Sequence, residues 1–158
     1  MIPLKINYKH LCQIFEPELN ISGWTEEDIK AYSIAKLMYP SSVDLTSETY
    51  SRDAERTADY ELENLTLVNR KAKPEFTWDI IPAAYVEHLL EELKYNYDFK
   101  NLEGTIEPRE AENIYVEYYD FVGKRTITAY LGQTINGTLE EYENKLYWRN
   151  FRIAFPER

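Results

Sequence analysis

The sequence predicts an α+β fold: a mainly antiparallel β domain, sandwich- or barrel-like, with one packed amphipathic helix and a second short helix. Three observations favour it. Several segments alternate apolar and polar side chains with the period of a half-buried strand. Residues 82–95 have instead the period of an amphipathic helix. The chain has 158 residues, 44% of them hydrophobic, which is the size of one domain with a buried core. We therefore expect a single domain over residues 1–158.

The N-terminal part of the chain predicts a strand and then a helix. A strand over 1–9 is indicated by alternating apolar residues at Ile2, Leu4, Ile6 and Tyr8. A short helix over 25–37 is indicated by Thr25 at the N-cap, followed by three acidic residues in the first turn. Pro40 prevents that helix from continuing.

Residues 41–60, SSVDLTSETYSRDAERTADY, predict a long polar loop or arm. The segment has almost no large aliphatic residues and cannot form a core by itself. Structureless loops of this length are uncommon inside compact domains, so a solvated loop and an arm that orders on a neighbouring subunit are both open. For the arm, we expect Arg52 and Arg56 to form charge-assisted bonds across the interface, because guanidinium groups bind carboxylates bidentately.

The middle of the chain predicts strands and the main helix. Residues 62–80 alternate like a strand, and Pro74 marks a bulge, an edge or a break between two strands because it cannot donate to a ladder. Pro82 is suited to the first turn of the helix over 82–95. Its apolar stripe consists of Tyr85, Val86, Leu89, Leu90 and Leu93, of which we expect the three leucines in the core.

The last part of the chain predicts a hairpin over 113–131, a turn region over 132–144 and a strand over 145–155. The hairpin turns around Gly123 and has an aliphatic face and an aromatic, polar face. Tyrosines are suited to interfaces, so we predict Tyr115, Tyr119 and Tyr130 as interface residues. The alternative is that these tyrosines only cap the core, because tyrosine is often half-buried.

Composition argues against several classes of partner. The formal net charge is −10 and the sequence pI is about 4.8, so stable binding of nucleic acid or an anionic membrane would act against the field of the protein. No segment has the pattern of a signal peptide or the length of a membrane span. Cys12 is the single cysteine, which excludes an intramolecular disulfide and indicates folding in a reducing cytoplasm.

Candidate catalytic groups are few. His10 and Cys12 lie two residues apart, so on a strand both would point to the same face, but a zinc site would need two more ligands and only His88 remains among histidines and cysteines. We expect Cys12 to be a small buried apolar group and His88 a histidine at the boundary of the helix. The glycines are isolated and form no phosphate-binding loop. The sequence therefore predicts no enzyme, no metal, no cofactor and no small-molecule substrate.

A family resemblance adds to this interpretation. The segments PLKIN, SRDAERTADYELENLTLVNRKAKPEFTWD, HLLEEL, IYVEYYDFVGKRTITAYLG and WRNFRIAFPER occur in an order that resembles small tail proteins of phages infecting Gram-positive bacteria. Residues 16–40 have no counterpart in that family. The turn of the hairpin, DFVG, also lacks the proline that the family has at the corresponding turn. The resemblance implies a virion structural protein of the tail or baseplate. Such a protein forms a ring with copies of itself, contacts other tail proteins, and is made in the host cytoplasm.

An alternative function has a different physical signature. A monomeric acidic binding module, an adaptor or an inhibitor, would dock on a basic protein partner through contacts that salt weakens. The assembly function predicts an oligomer, whereas the binding module predicts a monodisperse monomer.

Overall fold

The computed structural model describes residues 1–51, 67–95, 113–132 and 134–158. These residues form an α+β fold, as the sequence predicts. The helices are α1 (Leu11–Phe15), α2 (Glu26–Ala35) and α3 (Ala83–Glu92). The strands are β1 (Leu4–Ile6), β2 (Lys9–His10), β3 (Ser42–Asp44), β4 (Ser47–Ser51), β5 (Leu67–Ala72), β6 (Glu75–Pro82), β7 (Ile114–Asp120), β8 (Gly123–Ala129), β9 (Asn136–Tyr142) and β10 (Lys145–Ala154).

The strands form antiparallel sheets. The first sheet has the order β2-β1-β7-β8 and the second has the order β3-β6-β10-β9. A two-stranded ladder joins β4 to β5, which contact each other and no other described helix or strand. The two four-stranded sheets do not close into a barrel. None of the helices among the described residues is long and apolar enough to cross a membrane.

The core lies where the apolar faces of the strands meet the helices. In β7 the side chains alternate between buried and exposed positions, as the period-2 pattern predicts. Trp78 of β6 is fully buried, and its indole N–H donates to the Met38 carbonyl at 2.8 Å. The largest fully buried side chains are Trp78, Tyr118, Phe15, Phe76, Phe155, Ile6, Leu11, Met38, Ile81, Leu89, Ile153 and Val116.

Both predicted helices are present. Thr25 caps α2 and forms a capping box with Asp28, which satisfies amide groups that the first turn leaves without partners. In α3, which follows Pro82, the stripe is buried at Val86, Leu89 and Leu93. Leu90 is only partly buried, so its assignment to the core was wrong: it lies at the margin of the stripe.

The predicted strand over 1–9 is wrong beyond Ile6. The chain reverses at Asn7 and Tyr8, whose φ angles are 51° and 63°, and β2 then pairs with β1. Two consecutive left-handed residues are the geometry of a type I′ hairpin turn, which asparagine tolerates better than most residues. Tyr8, expected on the buried face, is 68% exposed. The short helix α1 follows directly and was not predicted.

The polar segment 41–60 contains more regular structure than a loop. Residues 42–44 form β3, which pairs with β6, and residues 47–51 form β4, which pairs with β5. The prediction of a structureless loop is therefore wrong for these residues, whose backbone groups pair with strands of the same chain, whereas an arm that orders on a neighbouring subunit stays a prediction. Residues 52–60 lie outside the described residues.

Two further predictions concern the strands around Pro74 and the end of the chain. The chain does break at Pro74, between β5 and β6, as expected. The predicted turn region over 132–144 is wrong, because residues 136–142 form β9 and only Glu143 and Asn144 make the turn to β10. Every residue of β9 is exposed, so no alternation of apolar residues identifies the strand.

The C-terminal residues connect the sheets through backbone hydrogen bonds. The Phe155 N–H donates to the Pro74 carbonyl at 3.0 Å, and the Glu157 N–H donates to the Ala72 carbonyl at 2.9 Å. On the other side, the Tyr130 N–H donates to the Pro156 carbonyl at 3.1 Å. This segment therefore joins the end of β8 to the strands on both sides of Pro74.

A carboxylate shared by two tyrosines connects the three helices. Glu16, at the end of α1, accepts hydrogen bonds from Tyr32 of α2 and from Tyr85 of α3, the latter at 2.9 Å. The hydrogen bond to Glu16, together with burial, raises the pKa of Tyr32 from 10.0 to about 12. Burial and the same carboxylate raise the pKa of Tyr85. The folded protein therefore holds these phenolic protons more tightly than the unfolded chain does.

This arrangement predicts a loss of stability in alkali. The stabilisation is complete below about pH 10 and declines as the pH rises through about 12, because both pKa values are raised on folding. In Glu16→Gln the carboxylate charge is absent, so we expect the denaturation midpoint to fall less steeply above about pH 10 than in the wild type. Glu18→Gln, at an exposed neighbouring position, is the control and should keep the wild-type slope. Equal slopes for all three proteins would contradict the role of Glu16.

Candidate interaction surface

The hairpin of β7 and β8 has two different faces. Ile114, Val116 and Tyr118 of β7 are buried. Tyr115 and Tyr119 point to the opposite face and are 37% and 61% exposed. The predicted division of this hairpin is confirmed, with Tyr118 on the buried face beside Ile114 and Val116. Asp120 pairs with Gly123, so the turn itself consists of Phe121 and Val122.

Tyr8 extends the exposed aromatic surface. Its ring stacks on that of Tyr115, with 5.3 Å between centroids and 27° between planes. The turn at Asn7 fixes this contact, because the Asn7 N–H donates to the Tyr115 carbonyl at 2.7 Å and its Oδ1 accepts from the Tyr115 N–H at 3.0 Å. We call Tyr8, Tyr115 and Tyr119 the tyrosine face.

The charges between the tyrosines are compensated within the same sheet. Glu117 lies between Tyr115 and Tyr119 in the sequence and forms an ion pair with Lys124 at 2.6 Å. The hydrogen bond to Glu117 raises the pKa of Lys124. Lys5 of β1 is the partner of Glu117 on the other side. Although the chain is acidic, this face therefore presents aromatic rings among balanced charges.

The turn of the hairpin is unusually apolar. Phe121 is 71% exposed and Val122 is 89% exposed. Tight turns ordinarily use glycine, proline, asparagine, aspartate or serine. Asp120 and Gly123, at the two ends of this turn, follow that rule, but the two central residues do not. We call Phe121 and Val122 the hairpin tip. Two adjacent exposed apolar side chains next to Tyr119 form a patch that a partner protein could cover.

A buried polar network supports the tip. Asp120 accepts hydrogen bonds from the Tyr118 hydroxyl at 2.6 Å, from the Phe121 N–H and from Arg125 at 3.2 Å, and Arg125 also binds Glu157. Burial raises the pKa of Asp120, but these hydrogen bonds outweigh burial, and the pKa lies below its ordinary value of 3.8. Burial and the bond to Asp120 raise the pKa of Tyr118. The network joins Asp120, at the start of the turn, through Arg125 of β8 to Glu157 of the C-terminal segment.

The remaining predicted interface residues do not join the tyrosine face. Tyr130 follows β8 and is 38% exposed, and its ring lies 5.9 Å from the guanidinium carbon of Arg158. It also lines a groove with Thr46 and Lys73, near the end of the β4–β5 ladder. Arg52 and Arg56 lie outside the described residues. The structure therefore stacks Tyr115 on Tyr8, leaves Tyr119 on the same face of β7, and places Tyr130 beside the C-terminal segment.

The groups weighed as catalytic lie apart. Cys12 is completely buried in α1, as predicted, and burial raises the pKa of its thiol. His10 is not on a strand face with Cys12, because it ends β2 and caps α1, 3.7 Å from Glu26. His88 lies partly exposed on α3. Among the described residues, no group of three or more histidine, cysteine, aspartate or glutamate side chains is placed to share a metal ion.

Comparisons of the chain with protein-family models, with curated proteins and with solved structures find no match. The tyrosine face and the hairpin tip are thus the features of the described chain from which a function can be inferred. Both are solvent-exposed and aromatic or apolar, and hydrogen bonds hold the backbone of Tyr115 to Asn7 and the Asp120 side chain to Arg125 of β8.

Proposed function

We propose that the protein is a virion structural protein of a phage tail or baseplate. It assembles with copies of itself and with other tail proteins into a ring through protein–protein contacts, and it carries out no catalysis. The observation that carries the assembly role is the exposed aromatic surface of the first sheet. The link to phage tails is supported by the sequence resemblance, whose hairpin segment contains this surface.

The chemistry of the tyrosine face suits an interface better than it suits a solvated surface. Tyrosine buries a large apolar ring at a small cost in rotamer entropy, and its hydroxyl keeps a hydrogen bond at the rim. Tyr8 and Tyr115 are already stacked, so part of the ordering cost is met before a partner arrives. The ion pair of Glu117 with Lys124 leaves little uncompensated charge to desolvate.

The hairpin tip supports the same function. Phe121 and Val122 contribute little to the core of their own chain, because both side chains are mostly exposed. A polar pair would make the same turn with less apolar surface in water. Burial of both side chains by a neighbouring subunit would contribute about 1.5–3 kcal/mol for each one.

The β4–β5 ladder is the second element that we assign to assembly. The two strands pair with each other, and their backbones approach no other described helix or strand, so the ladder leaves the body of the domain at Thr46 and returns at Ala72, which is buried in the core. We propose that this ladder is the base of an arm that a neighbouring subunit receives. Arg52 and Arg56, which follow β4 in the sequence, remain the proposed contacts of that arm.

The arrangement of the sheets is part of the proposal. We propose that the two four-stranded sheets pack as a sandwich, supported by the edge-to-face contact of Phe76 in β6 with Tyr118 in β7 at 6.2 Å. In this arrangement the tyrosine face lies on the outside of the sandwich. The protein would be made in the cytoplasm of the host bacterium and become part of the virion.

Native mass spectrometry and electron microscopy test this function. We expect the wild-type protein to form a closed oligomer and the variant Tyr119→Ser with Phe121→Ser to lose it while keeping its circular dichroism spectrum. Tyr95→Ser is the control, because Tyr95 is a tyrosine of the same exposed fraction as Tyr115, 37%, and lies outside the β7–β8 hairpin in the sequence. An unchanged oligomer in the double variant would show that this surface is not the interface.

A wild-type protein that stays monomeric at all concentrations would contradict the assembly function. The acidic binding module would then be favoured, and a basic protein partner should be released as salt is added.

A further inference from the structure

Strand β9 is an exposed edge of the second sheet. It is the last strand in the order β3-β6-β10-β9, it is seven residues long, and all seven residues are exposed. Proteins usually protect such an edge with lysine, proline, a bulge or a short strand, because its unpaired N–H and C=O groups accept another strand. β9 contains neither lysine nor proline, and the register shift beside it falls in β10, between Arg149 and Arg152.

The turn after β9 determines which backbone groups are free. Glu143 and Asn144 have φ angles of 51° and 64°, which is a two-residue type I′ turn, so Tyr142 and Lys145 form a hydrogen-bonded pair. Pairs alternate along an antiparallel ladder, and Leu139 with Trp148 is therefore a pair without hydrogen bonds. It follows that Leu139, Gly137 and Glu141 direct their N–H and C=O groups away from β10.

An apolar strip reaches this edge on one face of the hairpin that β9 forms with β10. Ile81 is completely buried, Trp148 beside it is partly buried, and Leu139 beside Trp148 is 49% exposed. Leu146 lies on the same face and is 50% exposed. On the opposite face, Glu140 is ion-paired with Arg149 at 2.9 Å, so its charge is already compensated. Within the part of the chain that the structure describes, the edge therefore offers backbone groups without a strand partner and an apolar strip together.

We propose that β9 pairs antiparallel with β9 of a second copy of this chain, centred on Leu139. In this register Leu139 pairs with Leu139 of the second copy, and Gly137 pairs with Glu141. These are the residues whose N–H and C=O groups point away from β10, so each strand provides hydrogen-bond partners for these groups of the other. Glu140 lies opposite Thr138 and no glutamate lies opposite a glutamate, which avoids the repulsion of like charges across a ladder.

The sequence of the strand argues for a second copy rather than an unrelated strand. A two-fold pairing requires a self-complementary edge. In β9, Leu139 lies opposite Leu139 of the second copy, and the small Gly137 lies opposite the longer Glu141. A register centred on Glu140 would place two carboxylates opposite each other and would use backbone groups that already bond to β10. This inference does not depend on the tyrosine face, which lies on the other sheet.

Cysteine cross-linking tests the register. Cα atoms of a hydrogen-bonded antiparallel pair are about 5.5 Å apart, which a disulfide can span. We expect Leu139→Cys to form a covalent dimer under mild oxidation, at a protein concentration where Glu141→Cys, on the same strand and face, does not. The wild-type protein shows whether Cys12 forms cross-links, and we expect none because Cys12 is completely buried. Cross-linking of both variants at equal rates, or of neither, would overturn the proposal.

A proline substitution tests the backbone contribution. The N–H of Leu139 points away from β10. Leu139→Pro therefore removes a hydrogen bond to the second copy and leaves the hydrogen bonds between β9 and β10 in place. We expect loss of the dimer in sedimentation experiments, whereas Leu139→Ala keeps the donor and only weakens association. A dimer in Leu139→Pro equal to that of the wild type would overturn the pairing. Tyr119→Ser with Phe121→Ser should keep this dimer, so the two interfaces fail independently.

Discussion

Replacement of Leu89 by alanine is expected to lower the free energy of unfolding by about 2–5 kcal/mol. Leu89 is completely buried on the inner face of α3. This helix packs against α1 and also contacts β6 and β10, so its side chains close the core from the helical side. Truncation removes apolar atoms and leaves a cavity that rigid neighbours fill only in part. Chemical denaturation followed by circular dichroism measures the loss.

Leu90→Ala is the matched control. It changes the same residue type in the next position of the same helix, but Leu90 is only partly buried. We expect a loss clearly smaller than that of Leu89→Ala, on the order of 1 kcal/mol. A change within about 0.5 kcal/mol for Leu89→Ala, or equal losses for both variants, would contradict the packing of α3 described above.

The second large effect is expected at Asp120. Asp120→Ala leaves the buried Tyr118 hydroxyl without its acceptor and leaves Arg125 with Glu157 alone. An unsatisfied buried polar group costs about 1–3 kcal/mol, so we expect a loss of that size near neutral pH. Asp79→Ala, at an exposed position of β6, is the control and should change stability by no more than about 0.5 kcal/mol.

The effect of Asp120 depends on pH in a definite direction. Its pKa is lower in the folded protein than the ordinary value of 3.8, so its contribution is complete above that value and is lost as the pH falls below it. The stability difference between the wild type and Asp120→Ala should therefore shrink in acid. A difference that is constant from neutral to acid pH would show that the carboxylate charge is not what stabilises the turn.

Prediction from sequence succeeded where one face of an element is buried. The alternation in β7 and the apolar stripe of α3 reflect that burial directly, and Thr25 identified the start of α2 through its capping chemistry. β9 was missed because a strand exposed on both faces carries no periodic signal. The reversal at Asn7 and Tyr8 was missed because the turn contains no glycine, and alternation continued through it by coincidence.

The candidate surface was predictable only in part. Tyr115 and Tyr119 follow from the alternation in β7, because residues two apart point to the same face. Tyr8 could not be assigned, since its position depends on the turn and on a pairing between segments far apart in the chain. The hairpin tip had a signal in the sequence: Phe121 and Val122 occupy turn positions that usually hold polar residues or glycine. Arg52 and Arg56 remain predictions.

The position of β1 has a consequence for the time course of folding. β1 lies between β2 and β7 in the first sheet, and the Asn7–Tyr115 contacts that fix its turn join residues 108 positions apart. During synthesis, β1 and β2 leave the ribosome long before β7 is made, so their apolar side chains stay exposed in the meantime. Contacts this distant must overcome a large loop-closure entropy, and folds that depend on them fold slowly. The first sheet therefore cannot be completed before β7 is made, and until then exposed apolar side chains of β1 favour aggregation.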